Sequence, residues 1–272
     1  MLLAAVALAA LLGTIPAFAA SPAQDLASSL NAMARASGGT VGITLIDLGG
    51  PSPTFYNWNP NLRFTAASTY KLPVLMWNAQ GIASGRLHDG DVLCYRSSDY
   101  EPGHYGDYWP GRCFRRADLA YRVAHWSDNT AAHILVRYMG GSGALNRYAA
   151  QHGARNSAFF YPNVTTALDL ARLWQSEAYG QAGGSGAQSW LYPKLTHTAF
   201  ESGIPAGVPR SVTVTHKIGI LGWYLNDAGL VIGGPNGQYV LVVMTRGLGG
   251  ARAWRFIARV SARVWQYENS RS

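Results

Sequence analysis

Phe64-Thr65-Ala66-Ala67-Ser68-Thr69-Tyr70-Lys71-Leu72-Pro73 leads from small residues into a helix start, carrying a hydroxyl and an amine three residues apart. Helical residues at that spacing share one face, with Cβ atoms about 5–6 Å apart, so Ser68 and Lys71 look into one space. A helix N-terminus adds partial positive charge and unpaired N–H groups, and both favour negative charge on Ser68 Oγ. Pro73 agrees with this placement, because a missing N–H is harmless only within the first turn. A serine nucleophile needs a base, and a lysine can serve when burial or a second cation lowers its pKa. Alone the pair is a weak signal, since a capping serine and a solvated lysine recur on helices that do no chemistry.

Outward from this stretch the pattern changes twice. Residues 22–37 read as a helix with Leu26, Leu30 and Met33 on one face, closed by Gly38-Gly39. Alternation predicts strands over 40–48 and 54–58, with a turn between them. A long middle holds helices over 72–83, 116–126, 130–139 and 165–175, separated by glycine-rich loops. Strands return over 212–216, 222–226, 228–232 and 239–245. A last helix follows, with Arg252, Arg255, Arg259 and Arg263 opposite Trp254, Ile257, Val260 and Val264. Strands and a helix at each end, with helices between, predict an α+β fold: an antiparallel sheet flanked by N- and C-terminal helices, plus an inserted all-helical lobe. The expected division is 20–60 with 206–272 for the sheet lobe and 61–205 for the helical lobe, with a site at their seam.

At 272 residues the chain can bury a sizeable core. Residues 1–19 are apolar and lack lysine and arginine. Ala17-Phe18-Ala19 supplies a small-x-small cleavage pattern, which favours a cleaved signal peptide and export over an uncleaved anchor. Cys94 and Cys113 are the only cysteines; a disulfide is the preferred reading in an exported chain, and two buried thiols are the alternative. The formal net charge of +8 suits an anionic cell-wall or membrane surface, while the arginine helix reads as a solvated face. Basic and aromatic residues do not interleave as nucleic-acid binding would require. Seven histidines are scattered without metal-ligand spacing, so no metal or cofactor is expected. His125 and His133 read as packing residues. His216 reads either as a tuner of the adjacent Lys217 or as a strand cap. A monomer is expected.

Ser127-Asp128-Asn129 lies between two helices, and His216-Lys217-Ile218-Gly219 ends a strand. With Ser68-x-x-Lys71 they resemble the set of the serine β-lactamases and penicillin-binding proteins, Ser-x-x-Lys, Ser-Asp-Asn and Lys-Thr-Gly. The likeness extends to Gly85-Arg86-Leu87, to Asn163-Val164-Thr165-Thr166-Ala167 at the end of that family's omega loop, and to 202–219 before the lysine strand. It covers the chain from about Thr40 onward and is nearest to class A β-lactamases. The resemblance implies a β-lactamase/transpeptidase-like fold and a serine hydrolase acting through an acyl-enzyme, on β-lactams or related amides and esters. Ser68 would be the nucleophile, Lys71 its base, Ser127 the proton relay to the leaving nitrogen, and Lys217 the cation poising Ser127. Asn129, Gly219 and Ile220 would contact substrate. The backbone N–H groups of Ser68 and Ile220 would form an oxyanion hole whose donors are each worth about 3–4 kcal/mol in comparable enzymes. Asp128 would pin the loop that carries its neighbours.

The pattern breaks in two places. Class A enzymes deacylate with an omega-loop glutamate, yet no Asp or Glu lies between Asp128 and Asp169, and the segment before Asn163 is about a dozen residues short. Loss of such a base slows deacylation by about 10²–10⁴-fold, so release is expected to be slow or to use a non-standard base. Asp99, Glu101 and His104 lie in the loop closed by the cysteines, and a place near the cleft is one reading of them. No spacing puts any of them on the acyl carbonyl, and a solvated loop is the preferred reading. Ile218 also replaces the family's hydroxyl residue, and Tyr239 stands where many class A enzymes carry a carboxylate-binding arginine, which weakens carboxylate recognition. The alternative is a DD-peptidase-like enzyme acting on cell-wall peptides, or a β-lactam- or peptidoglycan-binding protein without turnover.

Overall fold

The computed structural model describes residues 20–50 and 54–271. The expected signal peptide, residues 1–19, lies outside them. Helix α1 (Pro22–Arg35) opens on a Ser21–Gln24 capping box, which satisfies two of the end's unpaired N–H groups. Strands β1 (Thr40–Asp47), β2 (Phe55–Trp58) and β3 (Phe64–Thr65) follow. A 3-10 turn at Ala67–Tyr70 then runs into α2 (Lys71–Ala83). Strands β4 (Val92–Cys94) and β5 (Cys113–Arg115) pair as a small ribbon. Next come α3 (Arg116–His125), α4 (Asn129–Met139) and α5 (Gly141–Gln151). The middle ends with β6 (Val164–Thr165), α6 (Ala167–Ala178) and α7 (Gly184–Leu191). Strands β7 (Thr213–Leu221), β8 (Tyr224–Gly234) and β9 (Gly237–Arg246) and helix α8 (Gly250–Ser270) complete the chain.

One antiparallel sheet of order β2-β1-β9-β8-β7 joins the two ends of the chain. Both of its faces are covered, and β9 shows how. Tyr239, Leu241 and Val243 enter a core with α1 and α8, while Val240, Val242 and Met244 enter a second core with the helices of the middle segment. Period-two alternation thus feeds two different cores. Trp174 of α6 is fully buried there, and its indole N–H donates to Ala228 O of β8 at 2.9 Å.

Three sequence expectations change. The two short strands over 222–226 and 228–232 are one strand, β8, whose ladder with β7 is continuous from Thr213–Ile232 to Leu221–Tyr224. Lys217 and Gly219 therefore sit inside β7 rather than at its end. Helices α5 and α7 were not legible, because their glycine-rich stretches have little helix propensity. Burial of Leu145 and Tyr148 in one, and of Trp190 and Leu191 in the other, overrides that propensity.

Cys94 and Cys113 are paired across β4–β5 as a disulfide, 19 residues apart in sequence. We expect a Cys94→Ala/Cys113→Ala double variant to lose about 3 kcal/mol of stability, the chain-entropy value for a loop of this length, in a denaturant titration. An unchanged midpoint would show that the ribbon holds itself.

Candidate active site

Ser68 sits within the 3-10 turn, so the candidate nucleophile precedes the α-helix instead of capping it, and Lys71 is the first α-helical residue. In a 3-10 turn residues i and i+3 eclipse one another, and Lys71 Nζ lies 2.9 Å from Ser68 Oγ. Ala67, just before the serine, has φ +48°, and Ser127 has φ +57°. Such left-handed backbone at non-glycine residues costs about 1–3 kcal/mol and is held here by the packing around it.

Lys71 is fully buried. Its Nζ donates to Ser127 O and Asn129 Oδ1, each at 2.6 Å, so two of its positions are taken by pure acceptors and the next faces Ser68 Oγ. Burial pushes the Lys71 pKa down to about 7, with the carboxylates of Glu101 and Asp128 partly opposing it. Lys217 comes from β7, and its Nζ lies 3.0 Å from Ser127 Oγ, which is 3.4 Å from Lys71 Nζ. The Ser127 hydroxyl therefore stands between two amines. Burial first, and the Lys71 charge second, hold Lys217 well below the ordinary lysine range, against the pull of Asp227.

Asp128 is buried and caps α4. Its carboxylate accepts from Ala131 N at 2.8 Å, from Tyr105 N at 3.0 Å and from Tyr108 Oη at 2.7 Å. The loop around residue 103 is thereby tied over the Ser127 turn, and Asn129 Nδ2 adds a bond to Pro102 O at 2.7 Å.

Gly219 is where β7 meets the nucleophile turn. A Cβ there would stand 2.6 Å from Ala66 O, a backbone atom that cannot swing aside. Asn226, opposite Gly219 on β8, donates to Thr65 O at 2.9 Å and fastens the same turn. We expect Gly219→Ala to push this turn off the sheet and slow acylation by about 10²-fold, since a displacement near 1 Å has that effect. Stopped-flow acylation rates measure it, and an unchanged rate would show that the close approach is not needed.

Ser68, Asn129 and Ile220 line a cleft of about 210 Å³ together with Glu101, His133, Asn163 and the rings of Tyr70, Phe160 and Tyr161. Larger hollows of about 490 Å³ near His152 and 560 Å³ near Arg210 lie among other residues. Convergent polar chemistry, not volume, marks the site. Ser68, Lys71, Ser127, Asn129 and Lys217 thus form one hydrogen-bonded set beside Gly219 and Ile220.

Several readings of single residues are corrected. Glu101 lies in an exposed loop as expected, but it also lines the cleft and is paired to His133 Nε2 at 2.8 Å, so His133 is not mere packing. Asp99 is instead buried against Arg137, while His104 stays exposed in its loop and stacks on Trp126. His216 points to the opposite face of β7 from Lys217, between Asp227 and Glu201, where alternation alone puts it. Tyr239 is buried in the α8-side core and takes no part in the cleft. No motif marked Glu101, His133 or Asn226; Asn163 stood only within the omega-loop likeness.

The sequence profile of the beta-lactamase enzyme family matches residues 25–268. The chain belongs to this family. Among its β-lactamase relatives, CTX-M-8 of Citrobacter amalonaticus is 26% identical over 262 residues, covering 90% of this chain and 88% of that protein. CTX-M-25 of Escherichia coli is 26% identical over 266 residues with the same coverages. The solved structure of PBP-A superposes with TM-score 0.83 at 27% identity, over 90% of this chain and 96% of that one. A mutant of PBP-A was solved as an acyl-enzyme with penicillin G. The β-lactamase of Sphaerobacter thermophilus gives TM-score 0.79 at 26% identity, over 90% and 97%.

Proposed function

We propose that this β-lactamase-family chain is an exported serine hydrolase that forms an acyl-enzyme at Ser68, with β-lactams or related amides and esters as substrates. The observation that carries the reading is the contact of Lys71 Nζ with Ser68 Oγ at 2.9 Å, inside a pocket that brings the lysine's pKa to about 7. A neutral Lys71 keeps its two donor bonds to Ser127 O and Asn129 Oδ1 and turns its lone pair to the serine proton. Ser68 Oγ attacks the carbonyl while the N–H groups of Ser68 and Ile220 receive the oxyanion. Ser127, poised by Lys217, passes its proton to the leaving nitrogen and takes the one held by Lys71, so the amine is neutral again at the acyl-enzyme. Asn129 and Gly219 frame the substrate amide, and exposed Tyr161, Ile220 and Leu221 give the cleft an apolar rim.

A second reading is supported by the likeness to PBP-A and by the missing omega-loop acid: a DD-peptidase-like enzyme, or a binding protein that acylates once. Hydrolysis of a chromogenic β-lactam or ester separates the two. Sustained release favours the hydrolase, and one stoichiometric burst with no further release favours the second reading.

A further inference from the structure

The cleft wall away from β7 carries a carboxylate that the acylation step does not use. Glu101 is fixed by its backbone: its carbonyl accepts from Thr130 Oγ1 at 2.7 Å and its N–H donates to the same oxygen at 3.1 Å. Its carboxylate is half exposed to the cleft and takes a hydrogen bond from His133 Nε2 of α4 at 2.8 Å. The His133 ring is braced by Phe160, with centroids 4.7 Å apart.

The same cleft holds an acceptor with nothing to accept. Asn163 Nδ2 donates to Ala67 O at 3.2 Å, and Asn163 O receives Ala66 N at 2.9 Å, so the side chain is locked to the nucleophile turn. Its Oδ1 is enclosed without a partner. A buried acceptor in that condition needs a donor from solvent or ligand. Phe160 and Asn163 carry left-handed backbone at φ +78° and +58°, which adds them to Ala67 and Ser127 as strained residues around one cleft.

We propose that Glu101 is the base that activates the deacylating water, with His133 as its positioning residue and Asn163 Oδ1 as the water's second acceptor. The inference rests on the acyl-enzyme reading above. A water between Glu101 and Asn163 directs one hydrogen to each and its lone pair to the acyl carbon. As the water oxygen bonds to that carbon, its proton passes to Glu101. The oxyanion then collapses and the bond from Ser68 Oγ to the acyl carbon breaks. Glu101 passes its proton through solvent to Lys71 and Lys71 gives one to the Ser68 oxygen, so the products are a carboxylic acid and free enzyme with Glu101 ionised and Lys71 neutral. The hydrogen bond from His133, aided by its charge and that of Lys71, keeps Glu101 below the usual carboxylate range against partial burial, so the base is ready at neutral pH.

The test follows the Ser68 adduct by intact mass after mixing with penicillin G. Wild-type protein should gain the adduct and then lose it. Glu101→Gln should still gain it and should lose it about 10²–10⁴-fold more slowly. Formation of the adduct certifies the fold within the same time course. Should that variant not fold, His133→Gln gives a second measure. It should slow release and move the acid limb of the deacylation profile to higher pH, because Glu101 would retain only Lys71 as a facing cation. Release at the wild-type rate in Glu101→Gln, or an acid limb unmoved in His133→Gln, overturns the inference and leaves the acyl-enzyme reading standing. A wild-type adduct that never leaves does the same. No adduct in the wild type overturns both.

Discussion

Ser68→Ala should form no covalent adduct with any β-lactam and should lose hydrolysis by on the order of 10⁶-fold, the value for removing the nucleophile of a comparable acyl-transfer enzyme. The fold should survive. Lys71 Nζ keeps Ser127 O and Asn129 Oδ1, and the oxygen removed belongs to a partly exposed side chain. Intact mass and a thermal melt on the same sample check both halves. A variant that still gains the mass of the β-lactam would place the acylated atom elsewhere and remove the basis of the proposed mechanism.

Lys71 should be nearly as sensitive, with a diagnostic pH dependence. Burial places its pKa near 7, so the ammonium dominates below that pH and has no lone pair for the Ser68 proton. The acylation rate should therefore rise with pH through about 7 and level off above it. Lys71→Ala should lower the rate by about 10²–10⁴-fold and erase that limb. Lys71→Arg should be equally impaired, since a guanidinium stays protonated throughout this range. Stability carries the same signature. Between about 7 and the ordinary lysine pKa of about 10.4 the unfolded chain holds the extra proton, so this residue's contribution rises with pH across that window. Urea midpoints at pH 7 and pH 9 should be closer together in Lys71→Ala than in the wild type. An active Lys71→Arg would rule out lysine as the base.

What could be read in the chain follows from what repeats. Periodicity located the sheet strands, α1, α8 and most of the middle helices, because those elements bury one stripe or alternate faces. It failed at α5 and α7, whose helical state depends on neighbours. It also failed to join the two halves of β8, because the pattern does not encode the β7 ladder that carries the strand through. Among the candidate site residues, Ser68, Lys71, Ser127, Asn129 and Lys217 were legible because serine-lysine chemistry confines them to short motifs.

By itself the sequence determined which side chains make up the candidate acyl-transfer motifs, that strands from both ends would share one sheet, and that no acid would come from the segment between Asp128 and Asp169. Only the tertiary structure decided that both lysines are stripped of water around the Ser127 hydroxyl, that His216 faces away from them, and that Glu101, His133 and Asn163 share the cleft with Ser68. The physical reason is that burial and convergence depend on the paths of loops between distant segments. A loop such as the one carrying Glu101 has no period, and its position is set by the Asp128 and Thr130 contacts that fasten it.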